Sequence, residues 1–247
     1  MSYLLHIDSS AMSTGSVSRQ VAETFLTAWQ QENPAGRVVH RDLGAAPVPH
    51  LTADGITARF VDAATRTPAQ AEAMALQEEL VDELLGAGAY LFTVPMYNMS
   101  IPSTFKAWLD QIMISGRTIG TPDLPTAGRP AVVVASRGGA YGEGTPRAGW
   151  DHAVPFLTTA LGGMLGLEVE FVVPELTMAA RNPAMAELRP AADASRTRAH
   201  EEAGLHAQKI AARLAVGYVG GGGEGPHQTP PTNHHARTPP HTTKPQP

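Results

Sequence analysis

No cysteine occurs in the 247 residues, which excludes disulfides, thiolate nucleophiles and Cys-ligated zinc or iron–sulfur centres. Any electron transfer by this chain therefore depends on a bound cofactor. Cationic residues are scarce as well: 18 Lys and Arg face 23 Asp and Glu, for a net charge of −5. With no basic run, the chain lacks the footprint that a nucleic-acid backbone requires, and no nucleic-acid partner is expected. Long apolar runs are also missing. No window approaches the roughly 18 residues of a membrane span, and the opening MSYLLHIDSS has no basic leader before its short apolar stretch. The expected protein is soluble and cytoplasmic, with no membrane partner.

Glycine (24) and proline (21) are in excess, at about 18% of the chain against roughly 12% in an ordinary globular protein. Much of the surplus sits in residues 217–247, which hold 6 Gly, 7 Pro and 4 of the 10 His. A segment so poor in aliphatic side chains cannot build a core, and a disordered tail is expected there. Its histidines, His227, His234, His235 and His241, lack fixed geometry, so metal binding by them is expected to be adventitious. One folded domain over residues 1–216 remains.

Within that domain, short apolar runs alternate with amphipathic stretches. Strands are predicted at 3–7 (YLLHI), 38–40, 90–94 (YLFTV), 131–135 (AVVVA) and 169–173 (VEFVV). Helices are predicted at 18–31, 68–85, 103–114, 151–165 and 190–214, the second opening on a proline suited to a first turn. YLFTV and AVVVA are apolar throughout, as strands of a parallel sheet buried on both faces must be. The pattern predicts an α/β fold, a doubly wound five-stranded parallel sheet with helices on both faces.

In such folds ligands bind beyond the carboxyl ends of the strands. The loop after the first strand, from Asp8 to Ser18, holds five serines and a threonine at a helix start, where free N–H groups and hydroxyls make a phosphate site. One capping residue would need only one of those serines. Neither G-x-G-x-x-G nor G-x-x-x-x-G-K-[ST] is present, which favours a phosphomonoester over a dinucleotide or triphosphate. After the third strand, Pro95, Met96, Tyr97, Asn98 and Met99 form a proline-bounded loop with flat and polarisable surface, equally readable as a planar-ring shelf or as a packed turn. After the fourth, Ser136, Arg137, Gly138 and Gly139 let backbone N–H groups approach a ligand edge. The three loops together match a flavin mononucleotide.

Other candidates carry less. Ser10 or Ser16 as a hydrolase nucleophile lacks the G-x-S-x-G elbow. His6, inside the first strand, reads as a satisfied core histidine, and Lys106 with Asp110 as a surface ion pair. Tyr141 is placed to line an acceptor site, although a loop tyrosine more often packs. No general acid is assigned.

The segments PMYNMSIP (95–102) and FKAWLDQIMISGRT (105–118), with SRGGAY (136–141), the serine loop and RDL (41–43), resemble those of the flavodoxin-like FMN-dependent NADH azoreductases, also described as NADH:quinone oxidoreductases. The likeness spans about residues 1–216. It implies one non-covalent FMN per subunit, with its phosphate at Ser10, Ser16, Val17 and Ser18. The isoalloxazine ring would lie on residues 95–99 and its polar edge on residues 136–139. It further implies a homodimer with FMN at the interface, reduced by NADH or NADPH in a ping-pong cycle and passing two electrons to a quinone or azo acceptor. A flavodoxin-type electron carrier is the alternative. The sequence departs from the family's frequent Gln at Val17, Phe at Met99 and an aromatic residue at Gly163.

Overall fold

The computed structural model describes residues 2–219; residues 220–247, which hold all four histidines of the expected tail, lie outside the described residues. Five strands form one parallel sheet: β1 (Tyr3–Asp8), β2 (Val38–Asp42), β3 (Ala87–Thr93), β4 (Pro130–Val134) and β5 (Glu168–Val172). Their order, β2-β1-β3-β4-β5, places the reversal of winding between β1 and β3. Ligand-binding loops are therefore expected at the carboxyl ends of β1, β3 and β4.

The central strands are apolar on both faces because both are covered. β4 is buried at every position, and β3 at all but Gly88. On one face, α3 (Pro68–Gly86) and α4 (Ser103–Ile112) pack Leu80, Leu84, Phe105 and Trp108 onto Leu5, Ile7, Tyr90 and Phe92. On the other, α1 (Val17–Glu32) and α6 (Arg189–Val219) enclose Leu4, Leu91, Val132 and Val134. The small side chains Ala199, Ala203, Ala207 and Ala211 recur every fourth residue of α6, a spacing that puts one narrow stripe against the sheet and α1.

Local chemistry fixes the helix starts. Ser16 caps α1, and Thr67 with Gln70 forms a complete capping box on α3, whose first residue is Pro68. The element predicted over 151–165 is shorter and irregular. Asp151 accepts from the N–H groups of Ala153 and Val154 at 2.9 and 3.1 Å, α5 spans Val154–Leu157, and a π-turn carries the chain through Thr158–Met164. Gly162 and Gly163 weaken regular helix there. α2 (Ala53–Thr57), a single capped turn, was not legible from periodicity.

Candidate functional site

The serine loop closes on itself. Ser16 Oγ donates to Ser10 Oγ at 2.9 Å and lies 3.1 Å from Ser18 Oγ, and all three side chains are buried. Ser10, Ser16 and Ser18 thus form one hydroxyl cluster at the positive end of α1, where the N–H groups of the first turn lack intrahelical acceptors. Val17 occupies the first helical position and contributes its backbone there.

Beneath this cluster sits Arg19, which the sequence reading passed over. Its guanidinium donates to the Ser10 carbonyl, to Asp8 and to Asp42, each at 2.8 Å. The pairing holds the Asp42 carboxyl at about 2, below its ordinary value, with the Arg19 hydrogen bond as the largest cause. Arg19 therefore turns away from any bound anion and braces the loop from below. Its signal was available: an arginine one turn into the helix, facing acidic residues that end two neighbouring strands.

The loop after β3 joins the serine loop directly. The Ala11 N–H donates to Tyr97 Oη at 3.0 Å, and that oxygen lies 3.5 Å from Ser10 Oγ. Tyr97 and Ser100 exchange backbone hydrogen bonds of 2.9 and 3.1 Å around Asn98 (φ 48°) and Met99 (φ 69°). Two consecutive positive φ values define a type I′ pattern, usual for Asn or Gly and strained for Met by about 1–2 kcal/mol. Such strain clusters where a surface must be presented in one fixed way.

The loop after β4 is anchored from both sides. Met96 N–H donates to the Ser136 carbonyl at 2.7 Å, while the N–H groups of Leu176, Thr177 and Met178 donate to the carbonyls of Gly139, Arg137 and Gly138. The Arg137 side chain is buried and pairs with Asp151 at 2.9 Å and Glu175 at 3.7 Å. It clamps three loops together. Its backbone is engaged as well, the N–H donating to the Pro174 carbonyl at 2.9 Å.

Between these loops opens a cavity of about 1050 Å³, large enough for a tricyclic ring with part of a second ligand. Of the residues expected to hold FMN, Met96, Tyr97, Asn98, Met99, Gly138 and Gly139 line it. Pro95, Ser136 and Arg137 are not among its lining residues, and the serine cluster adjoins it through Tyr97. Tyr141 and Arg147 line the cavity beside Gly139. Leu176, Met178 and Met185, in the irregular stretch after β5, form an apolar wall that no sequence periodicity announced. Leu176 adopts φ 58°, a conformation that nothing in the residue type foretells.

Two further expectations meet the structure here. Lys106 and Asp110 do pair on the exposed face of α4. His6 is buried as expected, yet its Nε2 has no hydrogen-bond partner, so it is not a satisfied histidine. Burial pushes its imidazole down to about 4, and nearby His40 and Arg19 act the same way, against the opposing pull of Asp8.

Sheet order and loop chemistry define a flavodoxin-like α/β protein, and the flavodoxin-like fold family matches residues 2–200. An FMN-dependent NADH:quinone oxidoreductase from Streptomyces avermitilis is 55% identical over 217 residues, covering 87% of this chain and all of the relative. Another of that name, from Streptomyces coelicolor, is 49% identical over 218 residues, 87% of this chain and 98% of the relative. An azoreductase structure from Bacillus anthracis superposes with a TM-score of 0.72 at 26% identity, covering 85% of this chain and all of that one. The chain belongs to the family of FMN-dependent NADH:quinone oxidoreductases.

Proposed function

We propose that the protein transfers reducing equivalents from NADH or NADPH to a small planar acceptor, a quinone or an azo compound, using one non-covalent FMN per chain. The observation that carries this reading is the junction at Tyr97. A buried hydroxyl cluster suited to one phosphate adjoins a roomy, partly apolar cavity at the carboxyl ends of β1, β3 and β4. These residues fit FMN: hydroxyls and helix N–H groups for a phosphomonoester, a rigid shelf for a planar ring, and glycine N–H groups for its polar edge.

When bound, FMN supplies the two-electron chemistry. The protein's part is binding, orientation and electrostatics. With FMN bound, the hydroxyls of Ser10, Ser16 and Ser18 would exchange their mutual hydrogen bonds for donation to phosphate oxygens, while Val17 and Ser18 would add N–H groups. The turn from Pro95 to Met99, pinned through Met96 and Tyr97, supports the ring. Gly138 and Gly139, in the loop Ser136–Gly139, would offer N–H groups to the polar edge of the ring, a fixed donor arrangement of the kind that stabilises negative charge. The apolar wall from Leu176 to Met185 narrows the access of water.

The electron-carrier reading loses its support, because the relatives that this chain matches along their whole length are named as oxidoreductases. The hydrolase reading fares no better. The hydrogen-bond partners of the Ser10 and Ser16 hydroxyls among the described residues are serines, Tyr97 and backbone N–H groups, none of them a base.

A homodimer belongs to the same proposal. Exposed Met99, Trp150 and Met164 provide apolar surface for a second copy to cover. A Cβ at Gly163 would meet nothing within 4 Å, so the family's aromatic residue at this place would point into open space on a single chain. No helix among the described residues is long and apolar enough to cross a membrane. Work in the cytoplasm is part of the proposal because reduced nicotinamides are made there.

Steady-state rates with both nicotinamides against a benzoquinone and an azo dye test the activity. Parallel double-reciprocal lines are expected, and an FMN-loaded protein inactive with every pair would refute it. Sedimentation of the FMN-loaded protein is expected to show a dimer, and a monomer at micromolar concentration would remove that part.

A further inference from the structure

Away from the cavity, side chains with metal-ligand chemistry meet at the β1–β2 edge of the sheet. His6 and His40 are register partners across these parallel strands, so both rings leave the same sheet face. They stack with centroids 4.6 Å apart and planes 18° from parallel. Asp8, two residues beyond His6, shares that face by the alternation of strand side chains. Its Oδ2 lies 3.8 Å from His6 Nε2 and 3.5 Å from His40 Nε2, and the possible ligand atoms of the trio all fall within 4.8 Å of one another.

This spacing suits a tetrahedral ion. Bonds of roughly 2.0–2.2 Å to nitrogen and oxygen put ligand atoms about 3.3–3.5 Å apart. The Asp8–His40 separation already matches, and binding would turn the two stacked rings out of their near-parallel arrangement so that a nitrogen of each faces the ion.

Two independent observations point to a ligand. The first is the orphaned His6 Nε2, buried and without a hydrogen-bond partner. A buried nitrogen in that state normally finds a partner, and a neutral imidazole nitrogen is the form that binds metals. The second is charge. Asp8 and Asp42 both pair with the single guanidinium of Arg19, so two carboxylates share one cation at this edge. The His40 side chain is 47% exposed, which leaves a path from solvent and room for a water ligand.

We propose that His6, His40 and Asp8 bind one divalent cation of the zinc class. Two imidazoles and one carboxylate favour a borderline ion over magnesium or calcium, which take oxygen ligands.

Titration of zinc chloride into the full-length, FMN-loaded protein by calorimetry tests this, with His227, His234, His235 and His241 replaced by alanine to remove competing ligands. One zinc per chain is expected. Losing an outer-shell partner alone usually costs 10–100-fold in metal affinity, so His40→Ala should weaken binding by at least about tenfold. That variant removes a half-exposed ring and leaves the core in place. His6→Gln, checked for folding by circular dichroism, should abolish the stoichiometric site. Absence of binding in the tail-substituted protein would overturn the proposal. So would unchanged affinity in His40→Ala, or magnesium binding as tightly as zinc.

Discussion

The phenol oxygen of Tyr97 accepts the N–H of Ala11 at 3.0 Å and lies 3.5 Å from the hydroxyl of Ser10. One side chain thus ties the ring shelf after β3 to the phosphate loop after β1. Tyr97→Phe keeps the aromatic surface and removes the tie. With a neutral hydrogen bond worth about 1 kcal/mol, FMN is expected to bind about fivefold more weakly at nearly unchanged thermal stability, as measured by flavin fluorescence titration.

Ser16 does more than its neighbours, because its hydroxyl touches Ser10 and Ser18 and also caps α1. Ser16→Ala should lower stability by about 1 kcal/mol through the lost cap. It should also reduce FMN affinity by about 10- to 150-fold, the range for a hydrogen bond to a charged group. Urea unfolding of the FMN-free protein separates the first effect from the second.

Gly138 is crowded by the wall after β5. A Cβ there would stand 2.8 Å from Met178 Cγ. Gly138→Ala should therefore cost about 1 kcal/mol, the low end for overpacking, since the Met178 side chain is half exposed and can move. Adding Met178→Ala should restore the urea midpoint, and a double variant no more stable than Gly138→Ala would refute the contact.

Met99 holds φ 69° in a turn that prefers asparagine or glycine. Met99→Asn should raise stability by about 0.5–1 kcal/mol, because asparagine tolerates this conformation better. A lower melting temperature would show that Met99 is not strained there.

These loops also mark the limit of what was legible in the sequence. β4 could be read because five consecutive positions are buried and apolar. β3 begins three residues before the predicted Tyr90, as Ala87 and Ala89 pair with β1 on either side of an unpaired Gly88 despite weak strand preference; partner strands override propensity. The serine cluster could be anticipated from composition at a helix start. Leu176 could not, nor could the turning of Arg137 toward Asp151 and Glu175, because both depend on loop geometry rather than periodicity. The pairing of His6 with His40 needed the strand register.

Buried His6 also gives a pH signature. Its folded-state value of about 4 lies below the ordinary 6.5, chiefly through burial, so the unfolded chain binds the proton first as pH falls. The stability this histidine contributes is full above about 6.5, declines as pH drops toward about 4, and is then exhausted. The expected loss is at most about 3 kcal/mol. Urea unfolding across that window should show the slope in the native protein, and His6→Gln should flatten it.

The central claim is that this chain binds FMN and reduces it with a nicotinamide. Anaerobic mixing of the FMN-loaded protein with excess NADH or NADPH, followed by a quinone, tests it most directly. The account predicts that the visible flavin absorbance bleaches with at least one of the two donors, in a rapid phase proportional to bound FMN, and returns when the quinone is added. A protein that takes up no FMN, or a bound flavin that keeps its absorbance with both donors, would contradict it.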